Sequence, residues 1–135
     1  MNIWAFLVAS IVSFGLGAIW YSPVIGFGKQ WMALSGIDPI KMQVASTKDM
    51  VLRYLAQFAT VLVTTFILAR VIFMVGSNTW TQGAVLAFWV WVGFVAAISA
   101  GCLIWQKSSK KLFFINTGYT LVALVLSGII LAAWR

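Results

Sequence analysis

Charge is confined to a few short stretches of this chain, and that distribution constrains the fold more than any motif does. No acidic or basic side chain occurs before Lys29, between Arg53 and Arg70, between Arg70 and Lys107, or between Lys111 and Arg135. An uninterrupted apolar run of about 20 residues, wound as a helix, matches the roughly 30 Å hydrocarbon core of a bilayer. The sequence therefore predicts an all-α, polytopic membrane protein with four transmembrane helices in a single transmembrane domain. The expected spans cover residues 2–22, 50–75, 80–105 and 112–134, and a cytoplasmic loop, 23–49, joins the first two. Composition agrees, since 63% of residues are hydrophobic and only 8% charged, far below the quarter or so that is charged in soluble domains.

The same residues argue against several function classes. Cys102 is the single cysteine and there is no histidine, so neither an intrachain disulfide nor a histidine-ligated zinc or haem can form. No cofactor is expected. Both acids, Asp38 and Asp49, fall in the long loop, which leaves the spans without the carboxylate that a proton-coupled small multidrug exporter needs. Ser99 and Ser127 have no base at membrane depth, so catalysis is not expected either. Nine basic residues against two acids could suggest nucleic acid, but they sit in short loops beside apolar runs and form no extended basic face. The first span, with no basic segment ahead of it and no small-residue cleavage site, reads as a retained helix rather than a signal peptide.

Basic residues also orient the chain. Lys29, Lys41, Lys48, Arg53, Lys107, Lys110 and Lys111 flank the same side of the four spans, and cytoplasmic loops carry such an excess. Both termini are then expected outside. Trp20, Trp31 and Trp105 fall at the inner boundary and Trp4, Trp80 and Trp134 at the outer one, where indoles settle. The first span ends in Trp20-Tyr21-Ser22-Pro23, with Pro23 as helix stop. Short interfacial helices are predicted in the loop that follows: one presents Phe27, Trp31 and Leu34 on a single face, and the next is opened by Asp38-Pro39. Ser46 to Asp49 has a capping-box pattern for the second span, and Gly76-Ser77-Asn78 a tight outer turn.

Inside the spans, small and polar residues recur at helical spacing. Ala5, Ala9, Ser13 and Gly17 form a small-residue stripe on the first helix, and Gly93, Ala97 and Gly101 a second one on the third, where another backbone could approach closely. On the second helix Arg53, Gln57, Thr60 and Thr64 share one face. On the fourth, Asn116, Thr120, Ala123 and Ser127 repeat that spacing. If the two faces meet, Gln57, Thr60 and Thr64 oppose Asn116, Tyr119 and Thr120 across a polar seam, with Tyr21 and Tyr119 near its cytoplasmic end. Such a seam serves either as interhelical hydrogen bonding or as a pathway for a neutral or anionic solute. Arg70, isolated on the second span, is expected to snorkel to the outer interface and meet lipid phosphate or another anion. Of Trp89 and Trp91, at least one should pack between helices. These patterns lead to two functional expectations: a noncatalytic module that assembles with itself or with another membrane protein, or a small channel or permease. The bilayer is a partner in either case.

Three strings carry a resemblance to a known family. These are GAIWYSPVIGFGKQW, whose specific pieces are Trp20 to Pro23 and Gly28 to Trp31; GFVAA from Gly93; and LFFINTGYTLVALVLSGIILAAW from Leu112, with Ile115 to Tyr119 as its core. Together they resemble the domain of unknown function 1761 family over nearly the whole chain. The resemblance implies a small bacterial integral membrane protein with four spans and no assigned activity. Many members carry a histidine after that tyrosine, where this chain has Thr120, and an acid near Gln106. Any proton chemistry that those groups support is then absent here.

Overall fold

The computed structural model describes residues 2–22, 47–106 and 110–134, together with 26, 28, 30 and 33. Among these, every regular element is helical: α1 (Ile3–Trp20), α2 (Thr47–Val75), α3 (Trp80–Trp91), a π-helical segment (Val92–Ala96), α4 (Ala97–Gln106) and α5 (Lys110–Ala133). Four helices are long and apolar enough to cross a membrane, the third being α3, the π segment and α4 run together from Trp80 to Trp105. The protein is thus a four-helix membrane protein. Of the interfacial helices expected between the first two spans, Gly28, Gln30 and Ala33 are described and helical, while Pro23, Lys29, Trp31, Asp38 and Lys41 lie outside the described residues.

Local chemistry sets the helix ends. Asn2 caps α1, its side-chain oxygen accepting from the Trp4 N–H at 3.0 Å. Gly76 ends α2 at φ +82°, a conformation that only a residue without Cβ adopts freely. Its N–H donates to Phe73 O and the Ser77 N–H to Ile72 O at 3.1 Å, the pair of bonds of a Schellman motif. Thr79 then starts α3 by accepting from the Gln82 N–H, while Gln82 Oε1 accepts from the Asn78 N–H at 2.8 Å.

The third span departs from the single regular helix that the sequence suggests. At Val92–Ala96 the ladder widens, and the Ala97 N–H donates to Val92 O five residues back. Gly93 and Phe94 face outward there, so the extra residue of the wide turn is accommodated on the exposed side. This segment includes Gly93 to Ala96 of the GFVAA string.

Helix α5 is the hub. It packs most extensively on α3, then on α1 and α2, whereas α2 and α3 barely touch. Within an eighteen-residue stretch of each span, 39% of residues are buried in the fourth and 6% in the third. The core joins Ala5, Ala9, Leu68, Ala69, Ile72, Ala87, Leu124, Leu131 and Ala132. Small residues are prominent in it because apolar surface gains little by leaving lipid. Close backbone approach supplies the attraction instead.

Candidate functional site at the polar faces of α2 and α5

A cavity of about 250 Å³ lies along the second and fourth spans, lined by Gln57, Thr60, Thr64, Thr65 and Leu68 of α2 and by Tyr119, Thr120, Ala123 and Ser127 of α5. Val61 of α2, Leu124 of α5, Ser13 of α1 and Val95 of the π segment complete its walls. From Gln57 to Leu68 it follows about 16 Å of helix, far enough to reach membrane depth. Of the residues expected in the seam, Gln57, Thr60, Thr64, Tyr119 and Thr120 thus surround one space. Asn116 is not in the lining.

The two faces do not hydrogen-bond to each other directly. Thr60 Oγ1 donates to Gln57 O at 2.7 Å, Thr64 Oγ1 to Thr60 O at 2.9 Å and Thr65 Oγ1 to Val61 O at 2.8 Å. Thr120 Oγ1 donates to Thr117 O at 2.9 Å. In each case the hydroxyl satisfies its own helix, as isolated Ser and Thr do in apolar surroundings. One hydrogen bond at the cavity joins α1 to α5, Ser13 Oγ to Ser127 Oγ, 2.8 Å apart and buried. That pair uses one proton and leaves the other without an acceptor among the described residues. The Gln57 carboxamide, exposed at the rim, makes no hydrogen bond to them either.

At the basic end, where Lys48, Arg53, Lys110 and Lys111 are exposed, α1 and α5 clamp together. Trp20 Nε1 donates to Ile115 O at 2.9 Å, Tyr21 Oη to Asn116 Oδ1 at 2.8 Å and Tyr119 Oη to Ser13 O at 2.9 Å. The Tyr21 and Tyr119 rings meet edge to face, centroids 5.6 Å apart. A Cβ at Gly17 would lie 2.9 Å from Tyr119 Oη, and one at Gly118 3.2 Å from the Trp20 ring, so both glycines make room for aromatics. From the other side, Trp91 Nε1 donates to Thr117 O at 2.9 Å and contacts Thr120 Oγ1 at 3.2 Å. Trp20 is therefore a bridge between helices as much as an interfacial anchor. Trp91 packs inward, while Trp89 is exposed.

A sequence model of one family, described as Protein of unknown function (DUF1761), matches residues 4–132. The chain belongs to this family. No curated protein and no solved structure matches it. In this DUF1761 member the strings that carry the resemblance meet in space: Trp20 and Tyr21 close on Ile115, Asn116 and Tyr119, and the π segment that includes GFVA adds Val95 to the cavity.

The two small-residue stripes have different surroundings. Ala5, Ala9 and Ser13 are buried and serve packing within the chain. Gly93, Ala97 and Gly101 do not, for a Cβ at Gly93 or Gly101 would meet nothing within 4 Å and Ala97 is exposed. The third span packs on α5 through Gly83 and Ala87 instead. A Cβ at Gly83 would strike Gly128 O and come 2.6 Å from Ala132 Cβ. The signal was present in the sequence as two small pairs at i, i+4, Gly83 with Ala87 and Gly128 with Ala132. Arg70 is exposed, lies outside the cavity lining, and sits about 7.5 Å of helix below Val75, within reach of an interface.

Proposed function

We propose that this DUF1761 member is a noncatalytic module of the bacterial cytoplasmic membrane, both termini outside, that assembles through its third span with copies of itself or with another membrane protein. The observation that carries this reading is the stripe of Gly93, Ala97 and Gly101, which has no partner among the described residues on the least buried of the four spans. Backbones associate in lipid where such residues let them approach. The test is the native mass of the protein in lipid nanodiscs. Gly93→Leu combined with Gly101→Leu should reduce an oligomer to a monomer that keeps its helix content. A wild-type monomer overturns self-assembly and leaves only a different membrane protein as partner, and an oligomer of unchanged mass in the variant overturns assembly through the third span.

A second reading, favoured by the cavity, is a small permease. Uncharged walls with most hydroxyl protons already committed favour a neutral solute over an anion. Flux into liposomes that Thr64→Trp blocks would support it.

A further inference from the structure

The cavity combines four properties that define what fits it. Its volume of about 250 Å³ compares with the roughly 150 Å³ that holds benzene, which scales to about ten heavy atoms. Among the described residues no charged side chain is in its lining, so an ion entering it would shed water with little to compensate. The threonine and tyrosine protons are spent on backbone carbonyls, so those oxygens present acceptors and apolar carbon, and Val61, Leu68, Val95, Ala123 and Leu124 add apolar surface. Among the described residues, the donors left without an acceptor are the Gln57 amide and one proton of the Ser13 and Ser127 pair.

Access follows from the packing. Helices α2 and α3 barely touch, and Gln57, Thr60 and Thr64 on one side of that gap are exposed, so the cavity opens sideways into lipid. Val95 faces it from the π segment. We infer that this is a lateral binding site for an uncharged amphiphile taken from the bilayer, with an apolar body of about ten heavy atoms and one hydroxyl held by the Gln57 carboxamide. The inference uses the cavity of the second reading but requires no transport.

The probe is an octanol bearing a photoactivated diazirine, added to the protein in phosphatidylcholine nanodiscs, with crosslinked residues located by mass spectrometry. Label should concentrate on residues 57–68 and 119–127 and fall about tenfold with excess unlabelled octanol, as occupancy of one site by competition requires. Octanoate at equal concentration should not displace it. Thr64→Trp, at the exposed mouth, should abolish the protected label, whereas Leu52→Trp on the exposed surface should not. Should Thr64→Trp fail to assemble, Val95→Phe fills the cavity from the opposite wall and decides the matter. Label spread evenly over lipid-facing residues such as Phe73, Met74 and Ile98, or displaced equally by octanoate, overturns the inference. Specific label without flux would sink the permease and leave the binding site standing. Flux without specific label would do the reverse.

Discussion

At Gly83 and Gly128 the absence of a side chain lets α3 and α5 cross with their backbones in contact, and each glycine faces the carbonyl of the other. Gly83→Ala forces a methyl group against Gly128 O and Ala132 Cβ, contacts belonging to rigid helix rather than to a flexible side chain. Overpacking of this kind costs about 2 kcal/mol, and a denaturant titration in mixed micelles should register a loss of that size. Gly93→Ala is the contrasting case. With open space around its Cβ, the substitution removes glycine's entropic handicap in a helix and should raise the stability of the monomer by about 0.5 kcal/mol. Two glycines ten positions apart on one span thus give opposite signs. The serine pair shows why site residues were only partly legible: Ser13 read as a packing residue and Ser127 as part of a polar face, and nothing in either spacing says that they share a hydrogen bond.

Elements were legible where chemistry is local. Charge-free runs locate the four spans, and Gly76-Ser77-Asn78 marks a turn, at which the structure puts Gly76 at positive φ. Which faces meet was less legible, because in a chain that is apolar all round, hydrophobic periodicity no longer separates inside from outside. Small residues carry that information, and the third span holds two sets of them, of which Gly83 and Ala87 face α5. The π segment left no periodic trace, since it is a local widening of the ladder. Its consequence can be tested by deletion. Removing Phe94, which is 73% exposed, should restore a regular helix and keep α3 and α4 in their present orientations, with stability within about 1 kcal/mol of wild type. Removing Ile98 instead leaves the π turn in place and rotates the rest of α4 by about 100°. The same titration should then show a clear loss.

For the whole molecule, the basic residues Lys48, Arg53, Lys110 and Lys111 gather at one end of the bundle, and Gly76, Ser77 and Asn78 occupy the other. Labelling with a membrane-impermeant maleimide tests the orientation in which the basic end is cytoplasmic. In a Cys102→Ser background on intact cells, Asn78→Cys should react and Lys110→Cys should react only after lysis. The opposite pattern would invert the assignment.

The hub position of α5 also bears on how the chain is made. Helices α1 and α3 find their principal contacts on the last of the four spans, so the ribosome delivers three spans before the surface that unites them. At translation rates of about 5–20 residues per second, α1 waits in the bilayer for roughly ten seconds before its docking partner is complete. During that interval its small-residue stripe and the Gly83 notch of α3 are open to any passing helix. A chain stalled before Lys110 should therefore be recognised as incomplete by membrane quality control, and supplying α5 as a separate polypeptide should rescue it.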